Sequence, residues 1–187
     1  MATILRGDAI QYPDGTVQKK NSAFVKTRYT SHSTNDLSLP TWGSERDASP
    51  VVDMGVPKKA NNWYRCEYYN CRDDNSGGNG GWGMAIYRWT PSSGWFRCQA
   101  QGEHADYDND NGDFYSTTCG LWYIPVHASY GSEQHQFKLM GTKHPDCGIR
   151  INCSIGADNR IGGWQNNMFS VTEIDGDQVS NVNLTTY

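Results

Sequence analysis

The chain of 187 residues carries 16 Lys and Arg against 20 Asp and Glu, a formal net charge of −4. This acidic balance, with no cluster of Lys and Arg for phosphate groups, argues against nucleic-acid binding, and no apolar stretch approaches the length of a membrane span. The 20 glycines, 7 tryptophans and 11 tyrosines suit turns and pleated strands, and no window keeps helical apolar spacing, so the composition predicts an all-β domain.

The first eight residues lack the apolar core of a secretory signal peptide. We therefore expect the protein to be made in a cytoplasm and not to insert into a membrane. In that setting the cysteines are expected to be reduced, buried thiols. The six of them are Cys66, Cys71, Cys98, Cys119, Cys147 and Cys153.

The first predicted element is a β-hairpin. Pro13 fixes φ at one corner of a turn and Gly15 accepts positive φ at another, so residues 9–12 and 16–18 fold back on each other. A hairpin of two strands is not stable alone in water. We expect it to dock on its own domain, on sister chains or on a larger assembly.

This segment resembles the aliphatic-aromatic-Pro-Asp-Gly-Thr-x-Gln element that recurs in tailed-phage fibre and other virion-appendage proteins. In those proteins the element lies between an attachment region and a distal globular head. The resemblance implies an N-terminal attachment hairpin and arm over residues 1–60 and a head over residues 61–187. It also implies a virion-attachment role for the turn and the aromatic residue before it: Tyr12, Pro13, Asp14 and Gly15.

Short strand patterns follow one another along the chain without helices between them. Two come early, at 22–29 and 51–54. Eight more begin at residue 61, at 63–69, 82–89, 95–100, 114–118, 121–126, 134–140, 148–155 and a closing strand that ends near residue 174. Antiparallel strands at this spacing predict a β-sandwich, and the even count favours a jelly roll over an open sheet.

An acidic segment, residues 103–113, lies between two of these strands. Asp106, Asp108 and Asp110 alternate in it, which resembles the beginning of a Ca²⁺ loop because a hard cation takes several carboxylate oxygens from one short segment. Asn111 and Thr117 stand where an EF-hand requires Gly and a bidentate Glu, so an EF-hand is excluded. Another type of Ca²⁺ site and a solvated acidic loop both remain open.

Carboxylates could also pair for glycoside hydrolysis, with Glu103 or Asp113 opposite Glu133 or Asp146. Carboxylates of this density occur by chance in acidic proteins. We therefore expect no enzymatic activity.

Aromatic residues near the loops suggest a platform for a glycan or another receptor. Trp and Tyr rings stack on pyranose faces, while Asn, Asp and Gln hydrogen-bond hydroxyl groups. The alternative is that such rings are part of the core. The candidate residues are Trp82, Trp95, Tyr107 and Tyr115.

The closing strand carries apolar residues on both faces. Phe169 and Val171 alternate with Met168 and Ile174, so we expect the first pair in the core and the second pair against a partner chain. Residues 122–174 look like the trimeric jelly-roll heads of marine and cyanobacterial phage appendages, which implies a threefold axis near this strand.

Together these features predict a non-enzymatic virion structural protein, either a small tail fibre or a capsid-decoration protein. It is expected to form a homotrimer, to contact other virion proteins and to present its head to host-surface glycans. The alternatives are a soluble lectin-like glycan-binding module and a small glycoside hydrolase.

Overall fold

A computed structural model of the chain describes residues 4–6, 9–11, 17–19, 24–32, 37–74, 80–106, 114–145, 149–151 and 167–178. Its strands are β1 Ile4–Arg6, β2 Ala9–Gln11, β3 Val17–Lys19, β4 Phe24–His32, β5 Leu37–Ser38, β6 Arg46–Asp47, β7 Val52–Gly55, β8 Trp63–Asp74, β9 Gly80–Thr90, β10 Gly94–Asp106, β11 Phe114–Pro125, β12 His135–Lys143, β13 Ile149–Ile151 and β14 Asn167–Ile174. Two 3-10 turns, Ala128–Tyr130 and Gly176–Gln178, are the helical elements in these ranges. The predicted all-β fold is confirmed.

Eight of the strands form two antiparallel sheets. Sheet I has the order β4-β14-β8-β11, and sheet II has the order β7-β12-β9-β10. The short strands β5 and β13 extend sheet I beside the end of β8, and β6 continues the pairing of β7 along β12.

The chain alternates between the sheets, from β4 in sheet I to β7 in sheet II, then to β8, to the β9–β10 hairpin, to β11, to β12 and to β14. Alternation in this order is the jelly-roll topology. The predicted antiparallel β-sandwich is therefore present.

Strand boundaries differ from the prediction in one informative place. Residues 114–118 and 121–126 were expected to be separate strands, but β11 runs without a break from Phe114 to Pro125. Its whole length is paired with β8, including Gly120 opposite Tyr68, and this continuous ladder explains why the glycine does not end the strand. Strands from both sides of the predicted boundary at residue 60 form the sandwich, since β4 and β7 precede it.

The core lies between the two sheets. On β8 the residues Tyr64, Cys66 and Tyr68 are buried, and their neighbours in the chain point outward. The Tyr64 ring lies 4.8 Å from the ring of Phe137, which belongs to sheet II. Phe169 and Val171 are fully buried in the same core, as the alternation in β14 predicted.

The predicted N-terminal hairpin is confirmed, and the sandwich contains a second hairpin. In the N-terminal one, Ala9, Ile10 and Gln11 pair with Lys19, Gln18 and Val17, and β1 adds a third strand beside β2. The other joins β9 to β10, where Gly94 has φ of 66°, a backbone conformation that favours glycine.

Among the described residues, no helix has both the length and the apolar character needed to cross a membrane.

Candidate assembly interface

The outer face of sheet I is unusually apolar. Leu121 and Tyr123 on β11 point away from the core, while Trp122 and Ile124 between and beside them are buried. A sheet that faced only water would carry polar side chains at these outward positions.

Five large apolar or aromatic side chains are exposed on this outer face, and we refer to them as the apolar face. Their exposed fractions are 69% for Tyr29, 50% for Leu121, 46% for Tyr123, 39% for Tyr69 and 37% for Met168. Single exposed apolar residues are normal on soluble proteins, whereas several on one surface indicate an interaction site.

The strand register places these residues near one another. Met168 is directly opposite Tyr69, because β14 and β8 are paired there. Leu121 is opposite Glu67, and Tyr123 is opposite Arg65 on the other side of β8. The apolar face therefore extends across all four strands of sheet I, from Tyr29 on β4 to β11.

An ion pair lies at the centre of the apolar face. Arg65 donates a hydrogen bond to Glu67, two positions along β8, and about one third of each side chain remains exposed. Because the two charges already neutralise each other, a partner surface can cover them without burying an unpaired charge, which would be costly.

The two residues predicted for the trimer interface lie in different environments. Met168 is 37% exposed and belongs to the apolar face, but Ile174 is only 8% exposed within the single chain. Ile174 therefore has little surface left for a sister chain. It sits at the end of β14, between Phe24 on β4 and Trp63 on β8.

The predicted glycan-binding aromatics are not brought together. Trp82 is 2% exposed and belongs to the core. The prediction that its ring is available at the surface is therefore wrong. Trp95 is 38% exposed on the outer side of sheet II, where Lys138 lies 4.6 Å from its ring centre. Tyr115 is on β11, but its side chain, like all of Tyr107, is outside what the structure describes.

The predicted Ca²⁺ ligands are mostly outside the described residues. Asp106 is the last residue of β10, paired with Gly80, while Asp108 and Asp110 lie beyond the described range. Within the described ranges, no group of three His, Cys, Asp or Glu side chains converges to hold a metal ion. The attachment residues Tyr12, Pro13, Asp14 and Gly15 also lie outside the described residues.

One of the carboxylates considered for hydrolysis has a structural partner. Glu133 accepts hydrogen bonds from the backbone N–H of Ser92 at 3.1 Å and from its hydroxyl at 2.9 Å. These bonds lower the pKa of Glu133 and hold the β9–β10 hairpin loop against the turn before β12. The side chains of Glu103, Asp113 and Asp146 lie outside the described part.

Three cysteines in the described ranges are free thiols. Cys66 is buried in the core and Cys98 is partly buried, and burial raises the pKa of both thiols. Cys119 is exposed. It lies on β11 opposite Tyr69, at the margin of the apolar face.

The sequence contained a signal for the exposed apolar residues of β11, which were not predicted to lie at an interface. The run Leu121-Trp122-Tyr123-Ile124 is apolar at four consecutive positions of one strand. Strict alternation means that such a run has apolar residues on both faces, which is the same argument that identified Met168 on β14.

No protein-family model matches the chain, and no curated protein matches it. Among solved structures, the chain is similar to three from infectious bursal disease virus. They are the structure of the Gx strain (12% identity, TM-score 0.43, covering 86% of this chain and 35% of that chain), the T13 viral particle (10%, 0.48, 84% and 33%) and the VP2 subviral particle (12%, 0.47, 86% and 35%).

This chain spans about one third of the length of those viral chains. At identities of 10–12% and TM-scores of 0.43–0.48, the likeness carries no argument about what the chain does.

Proposed function

We propose that this chain is a virion structural protein that assembles as a homotrimer through its apolar face. The observation that carries the proposal is the exposure of five large apolar side chains on one face of sheet I. Covering them in an assembly would remove apolar surface from water, which is the main driving force of association. The jelly-roll topology supports the proposal, because it is a common architecture of viral capsid domains.

The N-terminal strands would attach the trimer to the particle. β1, β2 and β3 form a small three-stranded sheet of three residues per strand, and strands this short need a larger surface to dock on. The resemblance of the turn segment to virion-appendage proteins favours another virion protein as that surface. A small tail fibre and a capsid-decoration protein would both use this arrangement.

We also propose that the protein has no enzymatic activity. The described carboxylate of the candidate hydrolytic pair, Glu133, is engaged by Ser92. These hydrogen bonds give the Glu133 carboxylate a structural role, which is to hold a loop in place.

Sedimentation velocity tests the assembly. The wild-type chain is expected to sediment as a species of three times the chain mass of 21.0 kDa. Substituting both Leu121 and Tyr123 with Asp should shift the protein to monomer, because charged groups would have to be buried in the interface. The matched control is Trp95→Asp, at a residue with similar exposure on sheet II, and this variant should remain trimeric.

A wild-type monomer would contradict the assembly, and so would dissociation of the Trp95 variant alone. The virion location is tested separately, by mass spectrometry of particles purified through a density gradient from a culture that carries the gene. Peptides of this chain should co-purify with the particles in a constant ratio to the major capsid protein. Recovery only in the soluble fraction would contradict the virion role.

A further inference from the structure

A groove lies on the outer side of sheet II, on the opposite surface of the sandwich from the apolar face. It is enclosed between the segment Trp42 to Glu45 and the strands β9 and β10, and its volume is about 420 Å³. That volume falls in the range of small-molecule binding sites in proteins.

The floor of the groove is flat because small residues form it. Ala85 on β9 pairs directly with Ala100 on β10, and Gly83 continues the floor. No long side chain stands on these positions, so a planar or chair-shaped group can lie close to the sheet backbone.

Backbone hydrogen bonds fix the segment that forms one wall. The N–H of Trp42 donates to the Lys143 carbonyl at 2.9 Å, and the N–H of Lys143 donates to the Pro40 carbonyl at 2.9 Å. Gly43 has φ of 94°, and this turn returns the chain over the sheet. The wall is therefore preorganised, which reduces the entropic cost of binding a ligand.

Trp42 presents an aromatic surface at this wall. It is 43% exposed, and its ring packs edge-to-face with His144 at a centroid distance of 4.6 Å. That contact sets the orientation of the ring while much of its surface stays open.

Hydrogen-bonding groups also border the groove. Tyr87 donates its hydroxyl hydrogen to the carboxylate of Glu45, and partial burial together with this bond raises the pKa of Tyr87. Arg97 lies 3.5 Å from the other carboxylate oxygen, and 59% of its side chain is exposed. The groove thus offers a fixed acceptor and a donor beside an aromatic ring.

We propose that this groove binds a neutral saccharide unit. A pyranose ring would lie over the Gly and Ala floor with one face against Trp42, and adjacent hydroxyl groups would donate to Glu45 and accept from Arg97. A neutral ligand is favoured over an acidic one because Glu45 repels an anion and already neutralises Arg97. The site does not involve the apolar face, so it is independent of the proposed trimer.

The probes are the methyl glycosides of glucose, galactose and mannose, titrated at millimolar concentrations against the ¹⁵N-labelled protein. At least one should produce saturable shifts of the backbone N–H resonances of Gly83 and Ala85, groove residues that are retained in every variant. Trp42→Ala should weaken that binding about tenfold or more, as truncating an aromatic anchor does. Glu45→Gln, which keeps the shape of the side chain, should also weaken it.

Trp95→Ala is the matched control, because Trp95 is similarly exposed on the same sheet but outside the groove; its binding should be unchanged. The Leu121 and Tyr123 double variant should bind as wild type does, which separates this site from the assembly.

Three results would overturn the proposal: no saturable shift with any of the glycosides, loss of binding in the Trp95 variant with retention in the Trp42 variant, or tighter binding of glucuronate than of glucose. If Trp42→Ala fails to fold, Glu45→Gln and Trp95→Ala still decide the question.

Discussion

Buried polar side chains join the two sheets at one end of the sandwich. Arg88 on β9 is 5% exposed, and its guanidinium donates to the carbonyls of Pro125 and Val126 at 2.8 and 3.2 Å. It also lies over the rings of Phe96 and Tyr130, at 4.9 and 5.2 Å. The charge is thus stabilised by carbonyl dipoles and aromatic faces, and it connects sheet II to the end of β11.

His135 belongs to the same region and is fully buried. Its Nε2 lies 2.9 Å from the carbonyl oxygen of Tyr130, and because a carbonyl only accepts, Nε2 carries the proton. Burial lowers the pKa of His135, with a further lowering from the charge of Arg88. Both effects favour the neutral form of this imidazole in the folded protein.

The pKa shift of His135 makes stability depend on pH in a defined direction. Below about pH 6.5 the unfolded chain binds a proton at His135, whereas the folded chain does not bind one until the pH is lower. The free energy of unfolding should consequently fall as the pH drops from 7.5 through 6.5 toward the lower pKa of the folded state. Urea unfolding at a series of pH values measures this.

His135→Gln keeps a donor for Tyr130 and should remove much of the stability loss that the wild type shows as the pH falls below about 6.5. His127→Asn is the control, because His127 is exposed and has φ of 68°, which Asn tolerates. Equal pH dependence in the wild type and the His135 variant would contradict this assignment.

Single-residue burial was only partly predictable from the sequence. Alternation in β14 correctly placed Phe169 and Val171 inside. It could not identify Arg88 or His135 as buried, because their carbonyl partners, at the end of β11 and in the turn before β12, are not marked by any alternation pattern. Trp82 was expected at the surface because it lies next to a loop, but its ring is buried in the core.

At the scale of elements, β12 has an edge that two short strands share. β7 pairs with residues 135 to 137, and β6 pairs with residues 140 and 141. The gap at Leu139 is bridged by Ala48, whose N–H donates to the Leu139 carbonyl at 2.7 Å, and by the Ser49 hydroxyl, which accepts from the Leu139 N–H at 2.9 Å. A side chain thus completes the backbone ladder.

Ser49→Ala should leave the buried N–H of Leu139 without its acceptor. Losing the partner of a buried donor costs about 2 kcal/mol, so the free energy of unfolding should fall by about that amount in urea titrations. Ser132→Ala, at an exposed serine, should change it far less. Equal effects of the two substitutions would show that the Ser49 hydroxyl does not complete the ladder.

β14 allows assembly and folding to be separated within one strand. Met168→Asp, on the apolar face, should dissociate the trimer and leave the melting temperature of the monomer nearly unchanged. Ile174→Asp places a charge at a position that is 8% exposed and should destabilise the monomer itself by about 3 kcal/mol or more. Sedimentation velocity and thermal unfolding of both variants measure the two effects. Dissociation without loss of stability in the Ile174 variant would contradict its placement.

At the scale of the whole molecule, the jelly-roll class was predictable, but which strands belong to its two sheets was not. Composition, turn residues and the absence of helical spacing led to an antiparallel sandwich. The eight strands of the two sheets include β4 and β7, whereas the prediction took all eight from residue 61 onward and divided β11 in two. Pairing of distant segments, such as β4 with β14, depends on tertiary contacts that local patterns do not encode.

The exposed apolar residues of sheet I were partly predictable from the sequence. The two-sided apolar pattern indicated a partner for Met168, and the same pattern in β11 extends that surface to Leu121 and Tyr123. The groove on sheet II was not predictable, because Arg97 is distant in the chain from the segment that carries Trp42 and Glu45, and only the fold brings them together.

The most direct test of the proposed assembly is photo-crosslinking from the apolar face. p-Benzoylphenylalanine placed at Tyr123 keeps an aromatic side chain in the interface, and the same group at Trp95 serves as the control on sheet II. Irradiation of the purified protein should produce covalent dimers and trimers from position 123 and essentially none from position 95. Crosslinked species from position 95 alone, or equal yields from both positions, would contradict assembly through the apolar face.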